Sequence, residues 1–284
     1  MSFAWIDVGI FFFISGYGLT YGYYNKEGYL QGFWKRIVKV LVPFLLAHFV
    51  YAAADLIFGI QFTTNDVLRS LIGNSTLVKN DWYVPALLIF YALFWAIFSS
   101  KLPEKRKHII LLLSIIIYVL VFSLLFGLMD FWWMNALPFW GGAFAVMVLR
   151  KDNCKMTWAK WLLLCFSGYA IAFIGVPVSN RLVGDYHYEI FYSLMSLFGV
   201  GLVMLIYSRI GHGNALTRKA APYTYEIYLY HGLFIQIFRC QRLYITNDVA
   251  FVLAVYGATF LLAFVMHQAA GFIFRRIPSL RTHR

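Results

Sequence analysis

The chain has 284 residues, 62% of them hydrophobic and 13% charged, with a mean hydropathy of +0.71 and a net charge of +12. A water-soluble domain of this composition would have too little polar surface to cover itself. The positive charge sits in short loops beside apolar runs, where anionic lipid and topology account for it, so nucleic acid is set aside as a partner.

A membrane span needs about 20 mostly apolar residues, and about nine segments qualify: 3–22, 40–60, 82–100, 109–128, 131–149, 158–178, 190–208, 223–240 and 248–271. No alternation of period two suggests a barrel, so the fold expected is an all-α polytopic transmembrane bundle over residues 1–284 with no separate soluble domain. The chain is hydrophobic from Phe3 onward. It has no basic leader and no small-residue cleavage site, so its start reads as a span and not as a signal peptide.

The gap 23–39 holds Lys26, Phe33, Trp34, Lys35, Arg36 and Lys39, a mixture suited to an amphipathic segment at the interface. Arg36 and Lys39 lie three apart and share one helix face. Such a face suits a phosphate-bearing ligand such as a coenzyme or nucleotide, or is simply cytoplasmic positive charge. Span 40–60 carries His48 and Asp55. The outer gaps 61–81 and 179–189 carry Asp66, Asp81, Asp185 and Glu189; Tyr186, His187 and Glu189 form no recognisable sugar-binding code. Segments 109–128 and 131–149 read as a tight antiparallel hairpin, and Gly141-Gly142 suits close helix approach.

All but five of the 24 Lys and Arg residues fall in 23–39, 101–108, 150–160, 209–222 and the tail. The five exceptions are Arg69, Lys79, Arg181, Arg239 and Arg242. Basic loops stay in the cytoplasm, which puts the N-terminus outside and the C-terminus inside. Cys154, Cys165 and Cys240 have no CxxC and no histidine at ligand spacing, so they read as neither a disulfide framework nor a zinc site.

Ionisable groups inside spans are costly and mark candidates for function: Asp7, His48, Asp55, Glu226, His231 and His267. Asp55 and His267 lie near span ends and read as interface-anchored. His48 reads first as an interhelical hydrogen-bonding residue. His231 sits roughly 12 Å into its span at 1.5 Å per residue; it suits packing or a general base equally. Glu226 precedes it by five residues, about 140° around the helix, so the two form no dyad without groups from other helices. Glu226 also lies near the inner boundary, where it can pair with a basic residue.

Four stretches carry a resemblance. Asp7-Val8-Gly9-Ile10-Phe11-Phe12-Phe13-Ile14-Ser15-Gly16-Tyr17 resembles the FF-x-ISG-F/Y helix of the membrane-bound acyltransferase type 3 family. Residues Phe33 to Pro43 (FWKRIVKVLVP) are similar to its R-x-x-R-x-x-x-P segment, and Trp82-Tyr83 before Pro85 to its W-[FY]-L entry to a span. Glu226-Ile227-Tyr228-Leu229-Tyr230-His231 resembles its late S-x-E-I-Y-L-x-H helix. The pieces occur in the family's order over nearly the whole chain.

The resemblance implies a bacterial inner-membrane enzyme that moves an acyl group, usually acetyl, from cytoplasmic acyl-CoA to a sugar hydroxyl of an envelope glycan or lipid-linked sugar. Acyl-CoA is then a co-substrate, with no bound cofactor and no metal. Lys35, Arg36 and Lys39 would face the coenzyme, Trp82 would line the cavity, and Glu226 and His231 would be catalytic. Lys39 stands where the family has Arg, a poorer fork for phosphate. Family members have ten spans with both ends inside and a first helix bearing an Arg and a His assigned to catalysis. The outward N-terminus and abrupt apolar start are what loss of that helix would produce. Two other readings stand beside this one: a flippase of lipid-linked sugars, which would show inverted repeats not found here, and a non-catalytic remnant that binds acyl-CoA.

Overall fold

Inside hydrocarbon every backbone N–H and C=O must find its partner within the chain, and an apolar run meets that demand most simply as a helix. The computed structural model describes residues 4–125, 131–150, 156–183, 189–210 and 213–277, and helices dominate them. In chain order they are α1 (Ala4–Asn25), α2 (Trp34–Phe58), α3 (Thr64–Leu71), α4 (Tyr83–Phe98), α5 (Glu104–Leu120), α6 (Phe131–Met134), α7 (Leu137–Leu149), α8 (Trp158–Val183), α9 (Glu189–Ile210), α10 (Ala215–Ala220), α11 (Thr224–Ile237) and α12 (Asp248–Arg276). A π-turn, Val121–Leu125, continues α5. Two short antiparallel strands, β1 (Arg239–Cys240) and β2 (Leu243–Tyr244), form the only sheet among the described residues.

Among the described residues six helices are long and apolar enough to cross a membrane: Trp34–Phe58, Glu104–Leu124, Phe131–Leu149, Trp158–Ser179, Ile190–Ile210 and Asp248–Arg276. Of the other three expected spans, α4 is apolar but shorter, and α1 is a helix of 22 residues outside these six. The third, α11, has 14 residues, so it rises only about 21 Å before the β1–β2 hairpin ends it. Asp185, Tyr186, His187 and Cys154 lie outside the described residues.

Local chemistry sets the boundaries. No separate interfacial segment precedes α2; the helix begins at Trp34, so Lys35, Arg36 and Lys39 occupy its own first turns, and Pro43 lies within it. Gly59 ends it in the left-handed region (φ +72°). The Gly59 N–H bonds to the Leu56 carbonyl and the Ile60 N–H to that of Asp55, a Schellman close that satisfies carbonyls otherwise orphaned. Thr63 and Asp66 cap α3 reciprocally, and the Asn247 side chain caps α12 by accepting from the Ala250 N–H.

The helices gather into two units, Met1–Gln31 with Ile89–Gly211, and Gly32–Leu88 with His212–Arg284. In the first, α1 and α7 meet backbone to backbone. A Cβ on Gly16 would stand 1.9 Å from the Phe139 carbonyl oxygen, and one on Gly142 2.0 Å from that of Phe13. The close approach expected of Gly142 is thus present, with Gly16 as its reciprocal. Around that contact Phe12 meets Phe90 edge-on at 5.1 Å, and Phe90 packs on Tyr118 and Phe139.

The second unit is built on α2, α11 and α12. Near their starts the Tyr225 hydroxyl donates to the Val40 carbonyl at 2.9 Å; toward their far ends the Gln236 amide donates to Asp55 at 2.8 Å. These two bonds make α2 and α11 parallel neighbours. The bond between Glu226 and His267 brings the late part of α12 to the start of α11, so α12 runs antiparallel.

Candidate active site

The chemistry-bearing residues of the second unit sort into a cationic end, a central imidazole and a cavity at the opposite end. At the cationic end lie Lys35 and Arg36, half-buried, and Lys39, exposed, in the first turns of α2. Arg218 and Lys219 on α10 and Arg275 and Arg276 in the last turn of α12 join them. Glu226 is buried just inside this end, and its carboxylate lies 2.8 Å from His267 Nδ1. The His267 ring also stands edge-on to Tyr223 at 5.0 Å. His267 is therefore the partner of Glu226, and with 40% of its side chain exposed near the end of α12 it keeps the boundary position expected of it. Among the described residues no basic loop residue pairs with Glu226.

His231 sits midway along α11 and faces different neighbours from Glu226, as the 140° separation requires. Its Nδ1 is 2.7 Å from the Tyr228 carbonyl oxygen. A carbonyl can only accept, so Nδ1 carries the proton and Nε2 keeps a lone pair. The Asn80 side-chain amide meets that lone pair at 3.3 Å. The Asn80 carbonyl in turn accepts from the Tyr228 hydroxyl at 2.8 Å, and the Tyr228 ring packs edge-on against Tyr83 at 5.2 Å. Asn80 is in the left-handed region (φ +62°), a conformation Asn tolerates better than most residues.

The strap that presents Asn80 is fixed by its neighbour. The buried Asp81 carboxylate accepts from the Ser75 N–H at 2.8 Å, from the Ser75 hydroxyl at 2.9 Å and from the Ser70 hydroxyl. Burial pushes the Asp81 carboxyl up from the usual aspartate range, against the pull of those donors and of His48 nearby. Where the strap crosses α11, Gly232 makes room: a Cβ there would lie 2.7 Å from Lys79 Cβ and 3.1 Å from the Tyr51 hydroxyl. That hydroxyl donates to the Leu229 carbonyl at 3.1 Å, fixing α11 to α2.

Three other candidates are placed differently from expectation. His48 makes no interhelical bond among the described residues. Its Nδ1 bonds to the Phe44 carbonyl one turn back at 2.9 Å, and its buried Nε2 has no partner. Asp55 is buried and receives the Gln236 amide, so it is a packed residue and not an interfacial one. Trp82 is buried beside Tyr83 and does not line the cavity that follows. Asp7, near the start of α1, is exposed.

That cavity, about 990 Å³ and open, lies at the far ends of α2 and α11. Its walls include Gly59, Lys79, Gly232, Gln236, Arg239 and Arg242. Gly232 adjoins His231 and Lys79 adjoins Asn80, so the imidazole pair sits directly beside the opening. Asn80 is the residue the sequence reading missed. Its only signal is an Asn in the Lys79-Asn80-Asp81-Trp82 run, at a turn before a span.

Six apolar helices of membrane-crossing length among the described residues mark a multi-pass membrane protein, and within it a buried Glu226 carboxylate pairs with the part-exposed His267. A family model described as an acyltransferase domain matches residues 3–268, nearly the whole chain, and the protein belongs to that type 3 acyltransferase family. No match was found among curated proteins or among solved structures.

Proposed function

We propose that this acyltransferase moves an acetyl group from cytoplasmic acyl-CoA to a hydroxyl of an exported glycan or lipid-linked sugar. In this reading it is a multi-pass protein of a bacterial cell membrane, with about nine spans, the cationic end of its second unit inside and the cavity end outside. The observation that carries it is the His231 Nε2 lone pair, fixed by the Nδ1 bond to Tyr228 and standing beside the cavity.

Lys35, Arg36 and Lys39 receive the coenzyme phosphates, where charge-assisted bonds are strongest. The acceptor hydroxyl displaces the Asn80 amide from His231 Nε2. His231 takes the hydroxyl proton as the oxygen attacks the thioester carbonyl. The new C–O bond forms, the C–S bond breaks, and the departing thiolate takes the proton back from the imidazolium. Freed from the imidazole, the Asn80 amide can donate to the oxyanion that develops on the carbonyl. Glu226, paired with His267, acts as a positioning residue at the coenzyme end.

The test is release of free CoA from acetyl-CoA by the purified, detergent-solubilised chain, with and without a sugar acceptor, alongside thermal unfolding with acetyl-CoA. A donor at 100 times its dissociation constant should stabilise the fold by about 2.7 kcal/mol. Stabilisation with acceptor-dependent release is the expected result. Acetyl-CoA that neither stabilises the chain nor is consumed would leave the flippase reading in its place.

A further inference from the structure

Among the loops that are poor in cations, charge is not scattered. Lys79, Arg239 and Arg242 are three of the five Lys and Arg residues outside the basic loops, and all three line the same cavity, whose wall includes Gly232 next to His231. On an outward-facing surface such charges run against the bias that places cations inside, so topology does not account for them.

Their existing contacts divide them. Arg239 is committed to the fold: its guanidinium bonds to Asp248 at 2.9 Å and to the Ile245 carbonyl at 3.0 Å, and it lies over the Phe251 ring. Arg242 uses Nη1 alone, on the Ile57 carbonyl at 2.6 Å. Its guanidinium lies against the bare Cα of Gly59, where a Cβ would come within 2.8 Å of Nη2. Lys79 is exposed, and its ammonium reaches only the Thr76 carbonyl at 3.4 Å. Neither Lys79 nor Arg242 is ion-paired among the described residues. Among the described residues no carboxylate lines the cavity. Of the acids that interact with wall residues, Asp248 is held by Arg239, and Asp55 feels the Lys79 charge and already accepts from Gln236.

A cavity of about 990 Å³ is at the upper end of the range for small-molecule sites, roughly 300–1,000 Å³. It has room for one or more sugar rings. We propose that it takes an acidic sugar, one that carries a carboxylate or phosphate, with Lys79 and Arg242 on the anionic group and a hydroxyl turned toward His231. The proposal rests on the acyl-transfer reading for the direction of the hydroxyl, and on the cation placement alone for the charge.

The experiment uses the full chain in detergent at low ionic strength and reads binding separately from turnover. Thermal stabilisation is titrated with glucuronate, glucose 1-phosphate, neutral glucose and inorganic phosphate, and CoA release from acetyl-CoA is followed in parallel. The acidic sugars should bind, glucose should not, and added salt should weaken binding. Lys79→Gln should weaken it about tenfold or more, as loss of one charged hydrogen bond does, and Lys79→Arg should restore it. Lys79 is exposed, so these substitutions leave the packing intact.

Equal binding of glucose and glucuronate, inorganic phosphate matching glucose 1-phosphate, or an unchanged Lys79→Gln variant would each overturn the proposal. CoA release to neutral sugars without acidic-sugar binding would overturn it while acyl transfer stands. Acidic-sugar binding without CoA release would uphold the ligand class and defeat the acyl-transfer reading.

Discussion

His231 depends on four residues that are not near it in sequence. Asn80 meets its lone pair, Asp81 anchors the strap that carries Asn80, and Ser70 and Ser75 hold Asp81. Asp81 also has a pH signature. An unfolded aspartate ionises near about pH 4, whereas burial raises the folded carboxyl above that. Between those two values only the folded chain holds the proton. Folding is therefore favoured at the acid end of the window, and that contribution is lost as pH rises through it. Asp81→Asn should lower the unfolding temperature, because its amide N–H₂ faces serine donors, and should also flatten the pH dependence from about pH 4 upward. Thermal unfolding of both proteins in detergent across that range checks this; an unchanged slope would remove Asp81 from the account. His231 and Glu226 could be read from their residue types, spans and resemblance. Asn80 could not, because its role comes from a left-handed turn and a neighbouring helix, which no local pattern encodes.

Helix boundaries and glycines decide what the elements bring together. Long apolar runs with period-free hydrophobicity made α8, α9 and α12 readable, since burial in lipid asks for little else. The end of α11 was not readable, because the apolar run continues through Phe238 while the chain turns into the β1–β2 hairpin. The pairing of Glu226 with His267 needed the antiparallel packing of α11 and α12, which spacing within one helix cannot give. Gly232 sets the strap's distance from α11. Gly232→Ala would push a methyl to 2.7 Å from Lys79 Cβ, and overpacking of this kind typically costs about 1–3 kcal/mol. The strap can yield more easily than α2, so we expect a modest fall in unfolding temperature and a larger fall in acyl transfer as Asn80 is carried away from the point where its amide would donate to the oxyanion. A variant with normal turnover would show that the placement of Asn80 beside His231 is dispensable.

The whole molecule joins two kinds of evidence. Composition and loop charge identified a helical membrane protein; the match over residues 3–268 identifies an acyltransferase family member. Between the cationic end of the second unit and the cavity at its other end stands His231, next in the chain to Gly232 of the cavity wall, with Nε2 on the Asn80 amide. That arrangement makes His231 the central claim. The direct measurement is the rate of acceptor-dependent CoA release by the wild type and by His231→Gln, each first shown to unfold at a similar temperature. Loss of a general base costs about 10²–10⁴-fold. The account predicts a fall in that range, with acetyl-CoA stabilisation retained because the coenzyme groups are untouched. A His231→Gln variant that turns over at the wild-type rate would contradict it and leave His231 as a packing residue.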